Sequence, residues 1–304
     1  MYWKKLKVLG AGSYGTVSLA TPLMEHSLTL FAAVKSAEVA RSSSLQVEGQ
    51  ILDMLRGSEY VVECFGEDIS IENGKHTYNL LLEYAAGGTL HDLIQKSNTK
   101  SKAMIRESEA AYYAFQLLRG ISHVHRRGFI HCDLKPDNIL VFPRGHGIVD
   151  VKLADFGLSL RSTGENETHT YWDSSNKCRH HRGTLLYASP ESVACGIHGK
   201  AVDIWGLGCI VVEMITGRPL WCGYKNNDEL ELKIVHEEPE IPDNISNVAK
   251  DFLGKCLDRD HKWRWMAEML LNHPFIKINA KKIHPFGHAG CKTWVSTKHL
   301  FSTT

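Results

Sequence analysis

The chain has 304 residues, 43% of them hydrophobic, and its 35 Lys+Arg against 34 Asp+Glu leave a formal net charge of +1. That length and composition can bury a substantial core, in one large domain or two closely apposed lobes. The charge balance provides no overall basic field to attract nucleic acid or an anionic membrane, so recognition of a charged partner must be local.

The 8 cysteines (Cys64, Cys132, Cys178, Cys195, Cys209, Cys222, Cys256 and Cys291) are dispersed and form no Cys-x-x-Cys pair. In a chain of this size they read as reduced thiols of an intracellular protein rather than a disulfide framework. No apolar signal segment follows Met1-Tyr2-Trp3-Lys4-Lys5. The densest apolar run, Ile204 to Ile215, contains Glu213 and is too short to cross a bilayer, so it reads as a buried helix.

In chain order, the first elements read as strands. Leu6 and Val8 alternate with lysines, Val17 and Leu19 share a face, and in Phe31-Ala32-Ala33-Val34-Lys35 a period of two puts Ala33 beside Lys35. A helix is expected from about Ser44 to Leu55, with Leu45, Leu52 and Leu55 as its apolar stripe, Ile51 beside it and Glu48 inside it. A further strand, Tyr78 to Tyr84, ends at the flexible break Ala85-Ala86-Gly87-Gly88, where a lobe boundary is placed.

Beyond that break helical spacing dominates. Ala110, Ala114, Leu117, Leu118, Ile121 and Val124 form one face of a helix from about Glu107, ended by Arg126-Arg127-Gly128. Asp203 to Ile215 is apolar nearly all round, as for a helix in the middle of a lobe. Ser159 to Arg182 lacks periodicity and reads as a long loop, and the chain after Phe275 reads as a weakly packed tail. Lys281, Lys282, Lys292 and Lys298 read as part of a solvated terminus rather than a docking segment.

Three groups of residues carry chemistry. Gly10-Ala11-Gly12-Ser13-Tyr14-Gly15-Thr16-Val17 lies between two strand patterns, whereas a dinucleotide site wants a helix after the glycines. Its glycines would let backbone amides approach phosphates. Lys35 on a strand and Glu48 on the apolar face of a helix are each costly to bury alone, and pairing them removes both costs. His131-Cys132-Asp133-Leu134-Lys135-Pro136-Asp137-Asn138, followed by Asp155-Phe156-Gly157, supplies the carboxylates, ammonium and amide that phosphoryl transfer uses. In that assignment Asp133 takes or orients a hydroxyl proton, Lys135 sits against the moving phosphoryl group, and Asn138 and Asp155 hold Mg²⁺.

On these residues the chain resembles the eukaryotic protein kinase family from about residue 3 to 276. Further matches are Gly183-Thr184, Ser189-Pro190-Glu191, Asp203-Ile204-Trp205-Gly206, and Arg264 before His273-Pro274-Phe275. The resemblance implies an α+β bilobal protein kinase fold over residues 3–275. A small β-rich N-lobe with one helix (about 3–84) would meet a larger, mainly helical C-lobe (about 89–275) through a hinge at about 83–88, with 276–304 as the tail.

It also implies ATP and Mg²⁺ as cofactors. Leu9 and the glycine loop would cover the nucleotide, and Val17, Ala33 and Leu140 would sandwich the adenine. Leu82 would be the gatekeeper, and Glu83 and Ala85 would offer backbone groups to the ring. Glu191 would pair with Arg264 under the substrate platform. Lys135 and Thr184 resemble serine/threonine rather than tyrosine kinases, which carry an Arg/Ala arrangement in the catalytic loop.

Cys132 stands where the family usually has an Arg that pairs with a phosphorylated activation loop. Less dependence on such a phosphate is therefore expected, with the thiol a neutral filler rather than an oxidant sensor. Leu185 and Ser189 also depart from the usual pattern and bear on peptide-substrate fit. Ser162, Thr163, Thr168, Thr170, Ser174 and Ser175 are candidate phosphorylation sites. His169, Cys178, His180 and His181 match no standard zinc spacing and read as solvated.

Within the family, Phe31 to Glu38, Gly87-Gly88-Thr89-Leu90-His91-Asp92-Leu93-Ile94 and His131-Cys132-Asp133 are similar to plant mitogen-activated protein kinase kinase kinases of the MEKK-like group. That implies a protein substrate, namely a mitogen-activated protein kinase kinase, no nucleic-acid partner and no membrane span. A cytoplasmic location is expected, with the nucleus as a second compartment. The competing expectation is a pseudokinase scaffold, which would lack Lys35, Asp133 or Asp155 equivalents, and none is lost.

Overall fold

The computed structural model describes residues 3–12, 15–23, 31–100, 104–145, 148–162, 169–170 and 181–283. Strands β1 (Trp3–Gly12), β2 (Gly15–Pro22), β3 (Ala32–Glu38), β4 (Cys64–Glu72) and β5 (Lys75–Glu83) make one antiparallel sheet in the order β1-β2-β3-β5-β4. Its two outermost strands approach each other. Trp3 Nε1 donates to Asp68 Oδ2 at 3.2 Å, and Lys5 Nζ lies 2.7 Å from Glu72. Trp3 covers a small apolar cluster of Ala20, Val34 and Leu81. Leu6 and Val8, which alternate with lysines in β1, are both exposed, as is Lys7 between them, so the alternation does not separate a buried face from an open one.

Helix α1 (Ser43–Met54) packs on the sheet through Leu45, Ile51 and Leu52, with Glu48 buried in the same stripe. Beyond Glu83 the chain crosses to a helical lobe. Gly87 N donates to Val141 O at 3.0 Å, and Val141 N donates to Gly88 O at 2.9 Å. Gly87 has to be glycine, since a Cβ there would stand 2.6 Å from Val141 O.

The second lobe contains α2 (Leu90–Lys100), α3 (Glu107–Arg126), β6 (Phe129–Ile130), the hairpin β7 (Ile139–Gly145) and β8 (Ile148–Leu153), and β9 (Leu160–Arg161). It continues with β10 (His169–Thr170), α4 (Pro190–Cys195), β11 (Ile197–His198), α5 (Lys200–Thr216), α6 (Asn227–His236), α7 (Asn247–Cys256), α8 (Ala267–Leu270) and α9 (Pro274–Ile283). Helix α5 is buried on every side, as its composition requires.

Two segments differ from expectation. The stretch expected as a loop from Ser159 contains β9, paired with β6, and β10, paired with β11. Strands of two residues leave no periodicity to read. The tail expected from residue 276 begins inside α9, where Ile276 is as buried as Phe275. Among the described residues no helix is long and apolar enough to cross a membrane.

Candidate active site

The glycine loop is the β1–β2 turn, with Gly12 opposite Gly15, Ala11 opposite Thr16 and Gly10 opposite Val17. Gly15 has a φ of 129°, and a Cβ there would stand 2.1 Å from Ser36 O, so β3 admits only glycine. Around Gly10 and Gly12 a Cβ would meet nothing within 4 Å. Leu9 is exposed, and Val17, Ala33 and Leu140 are half-buried. Leu82 is buried opposite Ala33 in the β3–β5 register. Ser13 and Tyr14 lie outside the described residues.

β3 and α1 bring Lys35 and Glu48 together. Lys35 Nζ is 2.7 Å from Glu48 Oε2 and 3.0 Å from Asp155 Oδ1. Phe156 N donates to Glu48 Oε1 at 3.3 Å, which extends the contact to the segment that carries Asp155. Burial lowers the affinity of Lys35 for a proton, but the two carboxylates outweigh it and raise its pKa. Burial also opposes ionisation of Asp155, and the neighbouring ammonium prevails, holding its pKa below the ordinary value. For Glu48 burial dominates and pushes the pKa up.

The catalytic loop converges on Asp133. Its Oδ1 accepts from Thr184 N at 2.9 Å and Thr184 Oγ1 at 2.8 Å. Its Oδ2 accepts from Asn138 Nδ2 at 2.9 Å and lies 3.0 Å from Lys135 Nζ. Lys135 also donates to Thr184 Oγ1 at 2.7 Å, so Asp133, Lys135 and Thr184 form a closed three-way contact. Ala154 N donates to Asn138 O at 2.9 Å, joining Asn138 to the residue before Asp155. Asn138 and Asp155 thus bring amide and carboxylate oxygens, donors suited to Mg²⁺, to adjoining segments.

Sequence reasoning did not include Asp203 and His125 among the site residues. Asp203 on α5 accepts from His131 N and Cys132 N, both at 2.9 Å, and lies 2.7 Å from His125 Nε2. These bonds hold Cys132 at a φ of 68°, a left-handed conformation unusual for a residue with a side chain. Burial disfavours the Asp203 charge, but His125 and the loop amides overcome it and its pKa is lowered. An aspartate opening an apolar helix is a visible signal, yet its partners lie more than seventy residues away.

The Glu191–Arg264 contact is bidentate, at 2.8 and 3.1 Å, and both residues are buried. Cys132 is buried, and burial pushes its thiol well above the ordinary range, with Asp203 adding to the shift. Its surroundings are therefore richer than Asp133 alone. Arg182 also lies near, and its side chain donates to Leu158 O at 3.3 Å while its backbone N donates to His198 Nε2 at 3.0 Å. Of the candidate phosphorylation sites, Thr163, Thr168, Ser174 and Ser175 lie outside the described residues, as do Cys178 and His180.

The family model for the protein kinase domain matches residues 3–276. This chain belongs to the protein kinase family. Its bilobal architecture is the family's, and it is an ATP-dependent serine/threonine protein kinase. The kinase is 39% identical to mitogen-activated protein kinase kinase kinase 20 of Arabidopsis thaliana, over 93% of this chain and 81% of that protein. It is 40% identical to mitogen-activated protein kinase kinase kinase 18 of the same plant, over 91% of this chain and 78% of that one. With mitogen-activated protein kinase kinase kinase 17 it shares 36% identity over 91% of its length and 70% of the relative's. Lys35, Asp133 and Asp155 are all present in the kinase, and nothing favours the pseudokinase alternative.

Proposed function

We propose that this kinase acts as a mitogen-activated protein kinase kinase kinase, transferring the ATP γ-phosphoryl group to serine or threonine of a mitogen-activated protein kinase kinase. The observation that carries the reading is similarity, over most of their length, to three proteins named for that activity. The contact of Asp133 with Lys135 and Thr184 supports the hydroxyl specificity.

In this reading Gly10, Ala11, Gly12, Ser13, Tyr14, Gly15 and Thr16 cover the phosphates, with Leu9 above the ring. Val17, Ala33 and Leu140 sandwich the adenine beside Leu82, and the backbone at Glu83 and Ala85 meets its edge. Lys35, steadied by Glu48, binds the α- and β-phosphates. Asp133 orients the substrate hydroxyl and takes its proton, and Lys135 neutralises charge on the transferring group.

The residues fit Mg²⁺. Asp155 is kept ionised by Lys35, and Asn138 spends its amide nitrogen on Asp133, leaving an oxygen to serve as a ligand. When bound, the ion neutralises phosphate charge. The free cysteines among the described residues suit a reducing compartment, and we assign the kinase to the cytoplasm with the nucleus second.

Purified kinase incubated with ATP and a panel of intact mitogen-activated protein kinase kinases tests the assignment. Phosphate should appear on Ser/Thr of at least one member and depend on Asp133. Activity on generic protein with none on the panel would limit the conclusion to a protein kinase of another tier.

A further inference from the structure

Lys152 lies on β8 outside every motif used so far. Its Nζ contacts both carboxylate oxygens of Glu83, at 2.9 and 2.6 Å. The side chains are only 15% and 12% exposed, so water screens this pair far less than a surface one. The ammonium also sits 4.8 Å from the centre of the Phe142 ring on β7, a cation–π arrangement that adds a second contact to the same Nζ.

Glu83 is the last residue of β5, and its main chain is tied as well. Glu83 N donates to Glu63 O at 2.9 Å, and Glu63 N approaches Glu83 Oε2 at 3.4 Å. In the β7–β8 hairpin Lys152 stands opposite Leu140. Directly opposed residues of an antiparallel pair share a face. One cation therefore joins the strand carrying the proposed adenine floor to the residue whose carbonyl would meet the adenine edge.

We propose that Lys152 is a positioning residue for nucleotide binding: through Glu83 it fixes the hinge backbone in the orientation that accepts adenine. The inference rests on the ATP-binding reading above and adds a determinant of nucleotide affinity. Lys152 touches none of Lys35, Asp133 or Asp155, so it acts on binding and leaves the chemical step alone. Loss of the ammonium frees the Glu83 carboxylate to seek water and turns the peptide that carries the carbonyl.

The test compares wild type, Lys152→Met, Lys152→Arg, Glu83→Gln and the Lys152→Met/Glu83→Gln double variant, all assayed well below their melting temperatures. KM for ATP should rise about tenfold in Lys152→Met with kcat within about twofold, and Lys152→Arg should recover most of the affinity. The inhibition constant of free adenosine should rise by the same factor, locating the effect at the adenine end. Glu83→Gln should show the same KM shift, and the double variant should be no worse than either single one. It also serves as the test should Lys152→Met not fold.

Unchanged KM and adenosine inhibition in a folded variant, with wild type active, would overturn the proposal alone. A fall in kcat with KM constant would do the same. Wild type that binds no ATP would overturn the nucleotide reading and the proposal together.

Discussion

Lys35 and Glu48 meet at 2.7 Å in a setting where each is less than a tenth exposed, and while Lys35 also has Asp155 at 3.0 Å, the Glu48 charge has no cation but Lys35 among the described residues. Lys35→Met should therefore abolish phosphotransfer and lower stability by about 3 kcal/mol at neutral pH. The deficit has a pH dependence. Burial already raises the Glu48 pKa above its ordinary 4.5, and removal of the ammonium raises it further. A carboxyl that binds its proton more tightly when folded destabilises the protein fully above its folded pKa, and the penalty shrinks as pH falls toward the unfolded value, where it vanishes. The loss relative to wild type should be largest at pH 8 and narrow toward pH 5, read by urea unfolding at each pH.

Arg264 makes more bonds than a lysine could replace. It donates to both Glu191 oxygens, to Asp258 O and to Ala201 O, and lies 5.0 Å from the centre of the Trp205 ring. Arg264→Lys should lower stability by about 3 kcal/mol, and Arg264→Met by more, because Glu191 is then left unpaired. Thermal melting monitored by fluorescence checks the ranking.

Cysteine reactivity should follow burial. Cys132, Cys209 and Cys256 are buried with strongly raised thiol pKa values, and Cys64 is pushed to about 11. Cys222 is exposed. Timed alkylation of native protein, read by peptide mass spectrometry, should label Cys222 at least about tenfold faster than these four. Fast labelling of Cys132 would contradict its role as an inert filler.

The sequence carried the local features because each has a short-range cause. Lys35 and Ala33 share a face at a period of two, Glu48 falls in a helical stripe, and α3 begins and ends where its charge and glycine signals place it. Apart from the Glu191–Arg264 pair, which the family resemblance implies, contacts set by tertiary packing were not legible. The bonds from Asp203 to His131 and Cys132, and the Lys152–Glu83 pair, join residues about seventy positions apart, and no periodicity records them. The extent of α9 was missed because Ile276 is buried by the completed lobe, beyond the last recognisable motif.

Asp133 is the residue on which transfer most depends, since four groups from the catalytic loop and Thr184 converge on its carboxylate. Transfer of labelled phosphate from Mg·ATP to a protein substrate should therefore be compared between wild type and Asp133→Asn, with nucleotide affinity measured in parallel. Turnover should fall on the order of 10³-fold in Asp133→Asn, with ATP affinity retained. Transfer at the wild-type rate by Asp133→Asn, or none from either protein, would contradict this role of Asp133.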